Sequence, residues 1–308
     1  MVNRCIDVLY ETLMEDALKS NQSDQALIIG IDGPTAAGKT IIANTFAEFC
    51  SKKLKRSVFI YRLDWTLKSR KDRVQDLEII KAIGRPFALE AELHMELPKL
   101  KSFLKMITNF NKSNKYSNLK NLVKPLELEN LYARESDGQL CGSAQFNLTP
   151  TSIILVEGHY SLRSELNKYF DLNILVLSDQ DTLLKRKIDR VSAYRDKDSA
   201  EHYFNLIDVP SFEKHLQRFG HNATHIIQND DYRNPHLVEN SALFNWRQRN
   251  KKNKVLNENK QLTGIEIAKH VFQSSTLAPK HIQSCVEIIF SNIFDIDVFY
   301  RQYSRKFG

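Results

Sequence analysis

The chain has 308 residues, of which 42% are apolar, so it can bury one large or two small cores and is not a disordered protein. Its formal net charge of +7 favours anionic partners, among them nucleotides, phosphorylated metabolites and nucleic acid. The four cysteines lie far apart without a C-x-x-C pair, and neither a leader pattern nor 18 consecutive apolar residues occurs. We expect a cytoplasmic globular protein, with no disulfide framework, no zinc site and no membrane contact.

The first elements form a helix and then a strand. Leu9, Leu13 and Leu18 recur near helical spacing and predict a helix over Cys5 to Leu18. A polar break follows, and the apolar run from Leu27 to Ile31 then predicts the first core strand.

A complete phosphate-binding loop follows this strand. Gly33 to Thr40 reads G-P-T-A-A-G-K-T, which matches G-x-x-x-x-G-K-[ST], and the pattern from Thr40 to Lys53 is helical. Its glycines let backbone N–H groups surround phosphate oxygens, and the helix directs the positive end of its dipole at them. Lys39 is predicted to contact the β- and γ-phosphates, and the Thr40 hydroxyl to bind Mg²⁺. The predicted nucleotide-binding residues here are Gly33, Pro34, Thr35, Ala36, Ala37, Gly38, Lys39, Thr40 and Thr45.

The second strand, Ser57 to Leu63, ends at an acid. Ligands of open α/β sheets bind beyond the carboxyl ends of the strands, so Asp64 should face the phosphate loop. It could take a proton from an attacking hydroxyl or help to hold Mg²⁺, and the alternative is a solvated N-cap. Lys68 and Arg70 follow as candidates for substrate binding, although basic loop residues are usually only solvated.

The next segment is predicted to be a helix, a loop and a hairpin. Apolar spacing indicates a helix over Phe87 to Ile107, in which Pro98 would cause a kink or begin a new helix. On it, His94 could contact a polar ligand or simply pair with Glu90 on the surface. Asn109 to Asn121 is polar and predicts an exposed, mobile loop, and residues 122–148 predict a hairpin around Ser136-Asp137-Gly138.

A second acid ends a buried strand. Ser152 to Val156 is followed by Glu157-Gly158-His159, and an acid in this position commonly coordinates Mg²⁺ directly or through water. We therefore predict that Glu157 completes the nucleotide site and that His159 contacts the substrate.

An arginine-rich helix follows the strand Leu172 to Leu177. Arg186, Arg190 and Arg195 could close over a transferring phosphoryl group, stabilise its charge and exclude water. The alternative is a solvated basic helix. Ala223 to Ile227 predicts the last core strand.

The remaining tail is basic and then helical. Trp246 to Lys254 could bind polyphosphate or RNA, or serve as a solvated linker. Ile265 to Phe272 and Ile282 to Phe299 have helical spacing and could dock on the core or on a second subunit, which leaves a homodimer open.

These elements predict an α/β fold of the three-layer P-loop NTPase type, with a mostly parallel sheet, a small hairpin insertion and a helical C-terminal extension. We place a kinase domain at 1–232, with its hairpin at 122–148 and a lid at 186–200, and the extension at 233–308. The N-K-x-D guanine motif is missing, because Asn111 to Asn114 and Asn167 to Phe170 both fail at the fourth place, which favours ATP over GTP.

The order of motifs resembles the uridine kinase and phosphoribulokinase-like family from Leu27 to Asp231. The resemblance implies that Asp64 is the base toward the acceptor hydroxyl and that Glu157 acts with Mg²⁺. It implies lid roles for Arg186 and Arg195, whereas Arg190 is displaced by one position from the nearest family residue.

The nucleoside-binding hairpin motif of uridine kinases is not preserved. A gap-free match that starts at Pro125 gives Glu127, Leu128, Tyr132 and Arg134, so only the proline and the last arginine agree. Tyr132 and Arg134 remain candidates for substrate binding, and the basic residues suit an acceptor that bears a phosphate or carboxylate. We predict an ATP- and Mg²⁺-dependent kinase that acts on a hydroxyl of a small polar metabolite. A nucleotide-dependent nucleic-acid binder is the alternative.

Overall fold

A six-stranded sheet forms the centre of the protein in the computed structural model, which describes residues 4–20, 25–82, 94–117, 122–193 and 196–239. The strands are β1 Leu27–Asp32, β2 Val58–Arg62, β3 Lys124–Ala133, β4 Gln139–Leu148, β5 Ile153–Glu157, β6 Leu172–Leu177, β7 His225–Gln228 and β8 His236–Val238. The α-helices are α1 Arg4–Ser20, α2 Lys39–Lys53, α3 Arg70–Ala82, α4 Leu97–Ser117, α5 Ser164–Asn167, α6 Gln180–Val191, α7 Lys197–Tyr203 and α8 Val209–Phe219.

The central sheet has the order β2-β5-β1-β6-β7-β8, and its first five strands are parallel. All residues of β1, β5 and β6 are buried, as expected for parallel strands covered on both faces. This arrangement confirms the predicted α/β class. It also brings the carboxyl ends of β1, β2 and β5 to one edge, because Ile31 and Arg62 are both in register with Glu157.

The amino-terminal helix packs on the core, as its leucine spacing predicts. Tyr10 of α1 is buried and stacks on Phe46 of α2 with 4.8 Å between ring centroids. Its hydroxyl is hydrogen-bonded to Thr45. The predicted nucleotide contact of Thr45 is therefore corrected, because its hydroxyl binds α1 and also donates to the Ile41 carbonyl at 2.9 Å.

The carboxyl-terminal part of α4 differs from the sequence prediction. The predicted mobile loop from Asn109 is helical as far as Ser117, where α4 ends. Phe110 is buried, and the Asn111 amide pairs with the backbone N–H and carbonyl of Ala26 at 3.0 and 2.8 Å, so this polar stretch serves the start of β1. Pro98 lies in the first turn of α4, where proline is tolerated.

The strand β8 was not predicted. It pairs antiparallel with β7, so the central sheet continues past the domain boundary drawn at residue 232. Residues 240–308, with the predicted basic stretch and the two helical segments, lie outside the described residues. The predicted hairpin is present as β3 and β4.

The chain divides into two compact units. The first comprises Met1–Leu67 and Glu96–Lys254 and contains the central sheet. The second comprises Lys68–Met95 and Val255–Gly308, and its described residues are 68–82 and 94–95. Of the helices that the structure describes, none is both long and apolar enough to cross a membrane.

Candidate active site

The phosphate loop has the backbone that its glycines predict. Gly33 and Gly38 have φ of +156° and +90°, and a Cβ at Gly33 would lie 2.3 Å from the carbonyl oxygen of Val176. Ala36, between them, also has a positive φ of 63°. The loop leads into α2, whose N-cap, Gly38, supplies no side-chain cap. An uncapped helix amino terminus beside a glycine-rich turn is a favourable place for phosphate.

Lys39 lies inside this loop. Its Nζ donates to the carbonyls of Gly33 and Pro34 at 2.9 and 2.8 Å. Burial lowers the pKa of the ammonium group, and the nearby carboxylates Glu157, Asp32 and Asp64 oppose that shift. The cation is thus placed among acids at the edge where a triphosphate would bind.

Thr40, in the first turn of α2, and Glu157, at the end of β5, lie next to each other. The Thr40 hydroxyl lies 3.2 and 3.3 Å from the two carboxylate oxygens of Glu157. Burial raises the pKa of the Glu157 carboxyl, the Lys39 charge lowers it, and Asp64 raises it further. A hydroxyl beside an acid fits Mg²⁺, which usually takes one or two protein oxygens and completes its shell with water and phosphate. Among the residues described, no cluster of three or more acidic, histidine or cysteine side chains could hold a metal by itself.

Asp64 lies at the same edge, in the 3₁₀ turn Leu63–Thr66 that follows β2. It interacts electrostatically with both Lys39 and Glu157. Its carboxylate lies 3.5 Å from the Arg134 guanidinium, and both side chains are exposed. The structure therefore places Lys39, Thr40, Asp64 and Glu157 at one edge of the sheet, and Arg134, a predicted substrate residue, reaches Asp64 from the turn between β3 and β4.

The predicted lid arginines have different positions. Arg190 donates to the Thr35 hydroxyl at 3.0 Å, and so it reaches the phosphate loop. Arg186 instead donates to the carbonyls of Asn229 and Asp230 at 2.8 and 2.7 Å. Its predicted position over the transferred group is corrected, because these carbonyls bind its guanidinium. Arg195 lies outside the described residues.

The side chain of Arg186 also stacks on Tyr232, 3.6 Å from the ring centroid. A Cβ on Gly38 would lie 2.6 Å from the Tyr232 ring and 2.5 Å from the Asn229 amide nitrogen. The buried Asn229 amide donates to the Ala37 carbonyl at 2.7 Å. Arg186 therefore supports the segment after β7 that packs against the phosphate loop.

The remaining predicted substrate residues lie in three places. His159 is near Lys39, and its pKa falls to about 3 because of burial and the Lys39 charge, so its ring is neutral at physiological pH. Tyr132 lies on β3, opposite Leu140. Lys68, Arg70 and His94 belong to the second unit, where Lys68 pairs with the buried Asp76 at 3.0 Å.

Burial lowers the pKa of His94 to about 4, and the Arg73 and Lys68 charges add to this shift. Its imidazole is therefore neutral at physiological pH, which removes it as a cationic contact for an anionic acceptor. Substrate roles for Lys68, Arg70 and His94 stay predictions.

The sequence analysis missed Asp32, His215 and Asn229. Asp32 is fully buried at the end of β1, and its carboxylate accepts from the backbone N–H of Gly33 at 2.6 Å and from His215 at 2.9 Å. For Asp32, the one signal in the sequence was its position directly before the phosphate loop. His215 and Asn229 could not be found, because 183 and 192 residues separate them from their partners Asp32 and Ala37.

Solved structures share the fold. D-glycerate 3-kinase from Cryptococcus neoformans is 9% identical with a TM-score of 0.51, over 76% of this chain and 99% of that one. A possible uridine kinase from Bacillus stearothermophilus is 17% identical with a TM-score of 0.45, over 72% of this chain and 97% of that one. Phosphoribulokinase from Rhodobacter spheroides is also 17% identical, with a TM-score of 0.42, over 67% of this chain and 71% of that one. At these identities the likeness concerns the fold alone.

The sequence itself matches a family model. No curated protein matches the chain significantly. The model of the phosphoribulokinase/uridine kinase family, however, matches residues 28–233, which is about two thirds of the chain and includes the phosphate loop, Asp64 and Glu157. The chain therefore belongs to the phosphoribulokinase/uridine kinase family.

Proposed function

We propose that the protein transfers the γ-phosphoryl group of ATP to a hydroxyl group of a small, polar and anionic metabolite. The observation that carries this proposal is the meeting of Lys39, Thr40 and Glu157 with Asp64 at the carboxyl edge of β1, β5 and β2. These are the four roles that phosphoryl transfer needs: a cation for the phosphates, a hydroxyl and an acid for the metal, and a base for the acceptor.

Different residues of the chain have separate roles in the proposed phosphoryl transfer. The amides of the phosphate loop and Lys39 hold the triphosphate, and Arg190, which already contacts Thr35, adds charge from α6. Thr40 and Glu157 are the residues that would hold Mg²⁺, which when bound neutralises charge on the phosphoryl oxygens. Asp64 takes the proton of the attacking hydroxyl, and its exposed position leaves it open to an acceptor.

The anionic character of the acceptor is inferred from Arg134. Its exposed guanidinium lies beside Asp64, where a phosphate or carboxylate of the acceptor could be held close to the base. The hairpin also departs from a regular ladder. Asn130 has a φ of 55°, and the pairing register shifts between Leu128 and Leu131. This bulge lies directly before Tyr132, in the part of the hairpin where the nucleoside-binding motif of uridine kinases is not preserved.

A screen of acceptors tests the proposal. Purified protein with ATP and Mg²⁺ should consume ATP only when a suitable acceptor is added, and we expect phosphorylated or carboxylated sugars and small hydroxy acids to exceed nucleosides. Lys39→Ala should reduce turnover by about 10³-fold or more, because transition-state charge loses its main cation. Lys52→Ala, an exposed lysine at the end of the same helix, is the matched control and should retain full activity.

Two results would contradict the proposal. One is ATP hydrolysis at the same rate with and without every acceptor tested, and the other is full turnover by Lys39→Ala. A nucleoside as the best acceptor would refute the anionic acceptor and leave the kinase assignment in place.

A further inference from the structure

One buried carboxylate joins the phosphate loop to two other parts of the first unit. Asp32 is fully buried, and it accepts hydrogen bonds from the backbone N–H of Gly33 at 2.6 Å and of Leu162 at 2.8 Å. Its third partner is Nε2 of His215 on α8, at 2.9 Å. Gly33 begins the phosphate loop, and Leu162 lies in the loop that follows Glu157.

The direction of the His215 contact follows from the charge of its partner. Burial alone would raise the pKa of Asp32, yet the contacts with His215 and the nearby His159 lower it to about 2. An ionised carboxylate only accepts hydrogen bonds, so His215 must carry a proton on Nε2 and donate it. A glutamine amide can reach the same position, whereas leucine cannot donate.

A second contact ties α8 to the loop after Glu157. The Tyr160 hydroxyl lies 2.7 Å from that of Ser211, which is four residues before His215 and so on the same face of α8. Tyr160 has a φ of +81°, a strained value for a bulky residue that persists only where neighbouring contacts enforce it. Ser211 thus contacts the loop that follows Glu157, and His215 contacts the carboxylate that holds the first peptide of the phosphate loop.

We propose that Asp32 and His215 are a positioning pair, and that with Ser211 and Tyr160 they make α8 a brace for the phosphate loop and the Glu157 loop. The pair touches no reacting group. It fixes the first peptide of the phosphate loop, and with it the loop carbonyls and amides that surround Lys39. This inference rests on the proposed function, because it assumes that the loop binds a nucleoside triphosphate.

The test compares variants in the binding of Mg²⁺-ATP by calorimetry, with a thermal melt of each protein. His215→Leu should weaken binding about tenfold, because Asp32 loses its only side-chain donor among the residues described and the Gly33 peptide loses its fixed orientation. His215→Gln should bind within about twofold of the wild type, because its amide replaces Nε2–H.

The control is a second histidine–aspartate pair. His225 lies 3.0 Å from Asp16 of α1, through the same Nε2 to carboxylate contact, and neither residue belongs to the site. His225→Leu should lower Tm and leave Mg²⁺-ATP affinity unchanged. Loss of affinity that simply followed Tm across His225→Leu and both His215 variants would overturn the positioning role.

The remaining outcomes separate this inference from the proposed function. A wild-type protein that does not bind Mg²⁺-ATP would overturn both. Normal binding by the wild type and by folded His215→Leu would overturn the brace alone. If His215→Leu does not fold, Ser211→Ala decides: affinity about threefold weaker supports the brace, and unchanged affinity refutes it.

Discussion

The two acids of the proposed site, at the residue scale, have opposite environments that suit their roles. Glu157 ends a buried strand beside Thr40, whereas Asp64 lies on an exposed turn beside Arg134. A buried carboxylate binds a cation strongly, because burial has already removed its water. An exposed one can meet a diffusing acceptor. The proposed function therefore assigns metal binding to the buried acid and proton transfer to the exposed one.

Asp64→Asn tests this division. We expect Mg²⁺-ATP affinity within about twofold of the wild type, because the exposed Asp64 carboxylate lies beside Arg134 of the hairpin. We expect kcat to be lower by about 10²- to 10⁴-fold, as for loss of a general base. Titration calorimetry and steady-state kinetics with the best acceptor would measure both. An Asp64→Asn enzyme with normal kcat would remove the assigned role.

Glu157→Gln should stabilise the fold of the protein without ligands at neutral pH. The pKa of Glu157 is raised above its usual 4.5, so the folded state binds this proton more tightly than the unfolded state. The charged carboxylate therefore costs stability above the raised pKa, and the cost disappears as the pH falls to 4.5 and below. Glutamine removes it, and we expect a gain on the order of 1 kcal/mol, or about 2–4 °C in Tm.

Thermal melts of Glu157→Gln and the wild type between pH 4 and pH 8 would measure this difference, which should grow as the pH rises. Adding Mg²⁺-ATP should reverse the order, because the variant lacks the acid that we assign to the metal. Equal melting temperatures of Glu157→Gln and the wild type at all pH values would contradict the claim that the buried Glu157 charge destabilises the fold.

The positions of site residues could be predicted from the sequence where each residue directly follows or ends a strand. Gly33 to Thr40, Asp64 and Glu157 each follow an apolar run directly, so chain order alone placed them at one edge of a parallel sheet. Arg186 was misplaced because its partners are backbone carbonyls 43 and 44 residues later, which no side-chain pattern records. His215 was missed because its partner, the Asp32 carboxylate, lies 183 residues earlier in the chain.

At the scale of elements, apolar periodicity predicted the positions of most helices and strands, and tertiary contacts determined the others. The strands β1, β5 and β6 and the helices α1 and α2 have regular apolar spacing, and their predicted positions agree with the structure to within one or two residues. The end of α4 and the strand β8 have no such spacing. Asn111 extends α4 through its contact with Ala26, and three residues of β8 are held by pairing with β7. The partner of Asn111 lies 85 residues earlier in the chain, whereas β8 has only three residues and is too short to show a periodic pattern.

The packing of α1 on α2 gives a prediction at this scale. Tyr10→Ala should cost about 3–5 kcal/mol, because it removes a ring stacked on Phe46 in a closed core. Tyr10→Phe should cost only about 1 kcal/mol, since it loses the bond to Thr45 and keeps the stack. Urea unfolding would measure both. Because Thr45 contacts α1 and is not assigned to the nucleotide, Tyr10→Phe should leave Mg²⁺-ATP affinity unchanged. A large loss of affinity would instead indicate that Thr45 contributes to nucleotide binding.

The net charge of +7 favoured three kinds of anionic partner for the whole molecule: nucleotides, phosphorylated metabolites and nucleic acid. The family match decides for a kinase, and the phosphate loop supplies a specific site. Specific and diffuse anion binding differ in their response to salt, because a built site uses fixed amides and one lysine, whereas a basic surface releases counterions.

Mg²⁺-ATP at about 100 times its Kd should therefore raise Tm by about 5–10 °C, which corresponds to about 2.7 kcal/mol for a protein of this size. Between 50 and 200 mM salt this shift should change little. A single-stranded RNA should give a smaller shift that vanishes over the same range, and it should not compete with ATP. An RNA that displaces ATP, or that binds equally well at high salt, would instead favour a nucleotide-dependent nucleic-acid binder.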